Sequence, residues 1–271
     1  MSEPTGPAGK TPKRYVALGS SMAAGPGIRP QAKDAPRWSG RSARNYPHLV
    51  ADRMNFELVD VTFSGATTAH ILTEPQHHAP PQITALDGSE AVVTVTIGGN
   101  DVGYVPLLMA AALPRPARWL PVVGGRIAQL LDREVRDQAL ADAFDSLCAV
   151  GKAVCDRAPR ARVFFVDYLT MLPPAGMAAP PLSDADADVG RHVAGELANL
   201  TARAAAATGC EVVGAAAASR DHHAWSAEPW TTTPAKFVVP LPGKPAPLHP
   251  NAAGMRAVAD LVVAQLEKLG V

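Results

Sequence analysis

The chain has 271 residues, a length that α/β proteins fill as one domain, and an apolar share of 47% that suffices for a buried core. Lys+Arg and Asp+Glu balance at 25 each, so nothing in the charge favours nucleic acid or an anionic membrane as partner. No stretch approaches the ~20 uninterrupted apolar residues of a membrane span, and no stable membrane anchor is expected.

Residues 1–13 are polar and rich in Gly and Pro, without an apolar signal segment. They read as a disordered tail ahead of a single domain over residues 14–271. The first β-rich run, Arg14–Leu18, ends abruptly in the small-residue turn Gly19-Ser20-Ser21-Met22-Ala23-Ala24-Gly25. A helical pattern follows over Asn45–Arg53. A second strand, Glu57–Thr62, leads into Phe63-Ser64-Gly65-Ala66-Thr67-Thr68, and a third, Ala91–Ile97, into Gly98-Gly99-Asn100-Asp101. The segment Val102–Leu131 is long and apolar. Helices are expected over Arg136–Arg157, Asp184–Thr208 and Asn251–Leu269, and strands over Arg162–Asp167 and Glu211–Val213.

Strands alternating with helices predict an α/β fold: a three-layer α/β/α sandwich around a central five-stranded parallel sheet. Ligands of such sheets bind beyond the carboxyl ends of the strands. Ser21, Gly65 and Asn100 each follow one of the first three strands, so all three are expected at the same edge. The cysteines Cys148, Cys155 and Cys210 are odd in number and, without a leader, read as free thiols of a reducing, cytoplasmic setting. Cys148 and Cys155 share one expected helix at a separation of about 10 Å, too far for a disulfide.

These turns carry residue types suited to acyl chemistry. A serine leaving a strand through a tight glycine turn is exposed, and its own N–H faces a developing oxyanion; the same serine also suits a helix N-cap. Gly65 offers a backbone N–H with free approach for substrate, or is a plain strand-to-helix turn. Asn100 supplies an amide donor to the crevice, or caps the next helix. In Pro247-Leu248-His249-Pro250-Asn251, Asn251 is a credible N-cap for the last helix, which would anchor the loop and aim His249.

Taken in order, these blocks resemble the SGNH (GDSL-type) hydrolase superfamily, especially its actinobacterial lipase/esterase branch, from Tyr15 to the end of the chain. The resemblance implies a flavodoxin-like sheet and a serine esterase acting on short- to medium-chain esters through an acyl-enzyme. Ser21 would be the nucleophile, His249 the base, and Ser21, Gly65 and Asn100 the oxyanion hole. Two positions depart from the pattern. Ser20 replaces the family's Asp beside the nucleophile, and Ala246 stands where an Asp is common, three residues before the histidine. Relatives also often carry paired cysteines near the positions of Trp38 and Phe63; their absence fits a cytoplasmic protein.

Without that Asp, His249 needs only an acceptor to hold its tautomer. Ala246 lies between prolines that stiffen the loop, and its carbonyl is the expected acceptor; a carboxylate from elsewhere, Asp221 or Glu228, is the alternative. Tyr104, Leu108, Met109 and Trp119 in the apolar segment are the expected acyl-binding wall, or else a helix pair packed on the sheet. No cofactor and no metal are expected: adjacent His77-His78 and His222-His223 do not share a face. Two rival functions use the same residues, acyl transfer or deacetylation on a sugar or small alcohol and non-catalytic ligand binding.

Overall fold

A computed structural model describes residues 12–119, 124–234 and 244–271. Residues 1–11, most of the expected tail, lie outside the described residues. Five parallel strands form one sheet in the order β2-β1-β3-β4-β5, with β1 Arg14–Gly19, β2 Glu57–Asp60, β3 Val92–Thr96, β4 Arg162–Val166 and β5 Glu211–Val213. The helices are α1 Ser21–Ala24, α2 Tyr46–Met54, α3 Thr68–Leu72, α4 Tyr104–Ala112, α5 Gly124–Leu131, α6 Arg133–Arg157, α7 Asp184–Thr208, α8 Ala215–Ala218 and α9 Ala252–Lys268.

Strand residues alternate between two apolar layers. Val16, Leu18, Val93, Val95, Val163 and Phe165 pack with α3, α4, α6 and α7. Tyr15, Ala17, Val92, Phe164 and Val166 pack with α2 and α9 on the opposite face. This is the α/β/α sandwich expected for β–α alternation, because a parallel sheet exposes an apolar surface on both sides. Buried hydroxyls on the α2/α9 side are paired: Tyr15 with Thr94 at 2.7 Å, and Tyr46 with Thr96 at 2.8 Å.

Two of the expected element ends differ from the sequence pattern by more than one residue, each for a local reason. β2 ends at Asp60 and not at Thr62: the Asp60 carboxylate accepts from the Thr62 N–H at 2.9 Å and hydroxyl at 2.7 Å, a local turn that interrupts the regular strand, while Val61 and Phe63 still donate their N–H groups to Ala17 and Gly19 of β1. α6 starts at Arg133, three residues before the expected Arg136, because Asp132 caps it by accepting from the N–H groups of Glu134 and Val135.

The strand order reverses direction between β1 and β3. That switch point opens a crevice at the carboxyl ends of those two strands, and the Ser21 and Asn100 turns stand on either side of it.

Candidate active site

Gly19 carries β1 to the sheet edge, and its peptide is clamped by the Gln82 side chain, which accepts from the Gly19 N–H at 2.7 Å and donates to its carbonyl at 3.0 Å. Ser21 then opens α1, 7% exposed, with Ser20 at the N-cap position but making no capping side-chain bond. Across the crevice, His249 comes from the loop before α9. Its Nε2 lies 2.8 Å from Ser21 Oγ, although the two residues are 228 positions apart.

His249 Nδ1 lies 2.7 Å from the carbonyl oxygen of Pro247, and not from that of Ala246. A carbonyl only accepts, so Nδ1 carries the proton and Nε2 presents its lone pair to the Ser21 hydroxyl. The expected Ala246 acceptor is therefore displaced by one residue, for two reasons. Leu248 adopts a left-handed backbone, φ +57°, which turns the Pro247 carbonyl back toward the imidazole. The Ala246 carbonyl is already occupied by the Thr232 hydroxyl at 2.7 Å. Thr232 also receives the Leu248 N–H and donates its own N–H to the His249 carbonyl, so it holds the loop on both sides of the ring. Neither Asp221 nor Glu228 bonds His249 through its side chain; among the described residues, Pro247 is the partner of Nδ1. Burial draws the His249 pKa below its ordinary value, and the Pro247 carbonyl opposes that shift.

The other two turns are tied to each other. Asn100 Nδ2 donates to the Ala66 carbonyl at 2.7 Å, which fixes the amide and leaves its second N–H for another acceptor. Asp101 accepts from the N–H and hydroxyl of Thr68 at 3.0 and 2.6 Å, anchoring the start of α3. Directly before these tethers Gly65 stands at φ +80°, a conformation that a side chain disfavours. Among the described residues, the backbone N–H groups of Ser21 and Gly65 donate to no protein acceptor. An oxygen held near them and Asn100 would find free donors, which is the arrangement that stabilises a tetrahedral oxyanion.

The expected acyl wall divides. Tyr104 lines a cavity of about 630 Å³ with Tyr168, Leu169, Met171, Leu172 and Ala198. Leu108 instead is fully buried between α4 and α7, where Gly190 leaves room for it, so it is core and not cleft. Met109 is half-buried against the same core. Trp119 ends a short 3-10 turn at Arg115–Trp119, and its side chain lies outside the described residues. One histidine of each pair stacks on an aromatic ring, His77 on Phe63 and His222 on Trp230, and His223 Nδ1 accepts from the Trp225 N–H.

Sequence reasoning missed Pro247 as the acceptor, Thr232, Gln82 and Tyr168. Tyr168 follows β4 and has its hydroxyl 3.0 Å from Ser20 Oγ and 3.0 Å from the Gly99 nitrogen. These partners lie 148 and 69 positions away, a pairing with no local signature.

The profile of the GDSL-like lipase/acylhydrolase family matches residues 17–257. Lipase 2 of Streptomyces coelicolor is 33% identical over 265 residues, covering 94% of this chain and 86% of that protein. A lipase of Streptomyces rimosus is 29% identical, covering 89% of this chain and 81% of that protein. Among solved structures, phospholipase A1 from Streptomyces albidoflavus shares the fold at a TM-score of 0.76 with 24% identity, over 94% of this chain and 99% of that one. The extracellular lipase from Streptomyces rimosus superposes at 0.70 with 25% identity, over 93% and 98%. No helix among the described residues is long and apolar enough to cross a membrane. With the sheet, its switch-point crevice and these relatives together, the chain belongs to the GDSL-like lipase/acylhydrolase family and is a carboxylic ester hydrolase.

Proposed function

We propose that Ser21 and His249 hydrolyse carboxylic esters as a dyad, with the Pro247 carbonyl in place of a triad acid. The supporting observation is the chain of contacts from Ser21 Oγ to His249 Nε2 at 2.8 Å and from His249 Nδ1 to Pro247 O at 2.7 Å. In this reading His249 takes the Ser21 proton as Oγ attacks the ester carbonyl. The Ser21 and Gly65 N–H groups and the Asn100 amide hold the oxyanion. His249 then protonates the leaving alcohol, and a water, deprotonated by the same ring, releases the acid from the acyl-enzyme. The carbonyl does the orienting part of a triad acid's work, but adds no full negative charge to steady the imidazolium.

The substrate class we assign is short- to medium-chain acyl esters; the supporting feature is the open apolar cavity of about 630 Å³ at Tyr104 and Tyr168, next to the nucleophile turn through the Tyr168–Ser20 contact and not lined by Ser21 or His249 themselves. A reducing, cytoplasmic setting is part of the same reading; in it Cys155 and Cys210, whose sulfurs lie 3.5 Å apart, stay thiols. Hydrolysis of p-nitrophenyl acetate, butyrate, octanoate and palmitate tests the proposal. The shorter esters should turn over faster than palmitate, and Ser21→Ala and His249→Ala should each lower kcat by about 10³-fold or more. Wild-type rates in Ser21→Ala would refute it.

A further inference from the structure

Position 20 lies beside the proposed nucleophile, and here it is a serine whose hydroxyl does not cap α1. Its oxygen sits 3.0 Å from the hydroxyl of Tyr168, at the end of β4. The same phenol oxygen accepts the Gly99 N–H at 3.0 Å. Gly99 directly precedes Asn100. One hydroxyl thus bridges the turn that carries Ser21 and the turn that carries the Asn100 amide, two of the three proposed oxyanion donors.

The packing around the bridge leaves little freedom. A Cβ at Gly99 would lie 2.2 Å from Cε2 of the Tyr168 ring, so the ring packs directly on that backbone. Burial pushes the Tyr168 phenol up to about 12, which keeps it neutral and protonated at any working pH. Either hydroxyl of the Ser20–Tyr168 pair can donate; since the phenol already accepts from Gly99, we take its proton as the one given to the Ser20 oxygen. With that direction position 20 supplies the acceptor, and a carboxylate is only one way to supply it.

We propose that Tyr168 is a positioning residue: its hydroxyl fixes the distance between the Ser21 turn and the Asn100 turn, and so the width of the oxyanion hole. The proposal rests on the Ser21–His249 reading of the site. Such a brace acts on the transition state, since the oxyanion forms only there, and leaves ester binding largely alone.

The test uses the full chain with a soluble p-nitrophenyl ester. Tyr168→Phe should lower kcat about tenfold with KM unchanged, and should weaken binding of a boronic acid transition-state analogue by a similar factor. Ser20→Ala should lower kcat less, and the double variant should be no slower than Tyr168→Phe alone, because both remove the same bridge. Ser20→Asp should recover most of what Ser20→Ala loses, but only when Tyr168 is present to donate. A Tyr168→Phe enzyme with wild-type kcat would overturn the proposal, as would losses that multiply in the double variant. If Tyr168→Phe fails to fold by near-UV circular dichroism, Ser20→Ala and Ser20→Asp decide the outcome between them. Labelling of the wild-type protein with a fluorophosphonate separates this from the underlying reading. No label at Ser21 refutes the serine mechanism, whereas labelling together with an unaffected Tyr168→Phe refutes the bridge alone.

Discussion

Burial lowers the pKa of His249, and the Pro247 carbonyl, which favours the charged ring, offsets only part of that effect. The sign follows for activity. A protonated imidazole has no lone pair for the Ser21 proton, so the dyad is inactive below the histidine pKa and active above it. That pKa lies under the ordinary 6.5, so kcat/KM for a soluble ester should rise through a single ionisation with its midpoint below pH 6.5 and then level off. A pH–rate profile with its midpoint above that value would show that burial does not control the ring. At this scale the sequence carried the residues whose position is set by the end of a strand. Ser21, Gly65 and Asn100 follow β1, β2 and β3 closely, so knowing the strands was enough to place them on one edge. The acceptor for His249 was off by one because Leu248 takes a left-handed backbone that no glycine or asparagine announces. The clamp from Thr232, 17 residues upstream, has no sequence pattern at all.

Elements were legible where a cap or a period marks them. Asn251 reads as an N-cap and is one: its side-chain oxygen accepts from the N–H groups of Ala253 and Gly254 at 2.8 and 3.0 Å. Its amide also donates to the Pro229 carbonyl at 2.6 Å, tying the start of α9 to the loop that Thr232 closes. Asn251→Ala should lose the cap and leave that carbonyl unpaired, lowering stability by about 1–2 kcal/mol in urea unfolding and reducing kcat because His249 is two residues away. Asn251→Asp should keep the cap and recover most of the stability, while the contact to Pro229 is lost. Equal loss in both variants would mean that the Pro229 contact, and not the cap, holds the helix start. Short elements left weaker traces. α1, α3 and α8 span four or five residues each, less than two turns, and show no period to detect. Apolar periodicity in Val102–Leu131 did not distinguish a cleft wall from a helix pair, since Leu108 against Gly190 and Tyr104 at the cavity belong to the same α4.

At the scale of the whole molecule, the sheet places its polar cost where the chemistry is. Asp167 follows β4, immediately before Tyr168, and lines the cavity. Burial raises its carboxyl from 3.8 to about 6, against the opposing effect of the Ala216 and Ala215 N–H groups, the first of which it accepts at 2.8 Å. In the unfolded chain the same group titrates near 3.8. Between those two values the folded protein binds more protons than the unfolded one, so stability falls as pH rises through this window. Above about pH 6 the ionised, buried carboxylate has lost all of that contribution, which the shift from 3.8 sets at about 3 kcal/mol. Asp167→Asn keeps an oxygen to accept the Ala216 N–H and has no charge to bury. It should therefore melt several degrees above the wild type at pH 8, given ~2–4 °C per kcal/mol for a chain of this size. The two proteins should converge as pH drops below 4, where Asp167 is protonated in both states. Thermal unfolding from pH 3.5 to 8 measures the difference directly. A wild-type curve that runs parallel to that of Asp167→Asn across the window would mean the carboxyl is solvated in the folded state, and that the cavity beside Tyr168 is wetter than its lining implies.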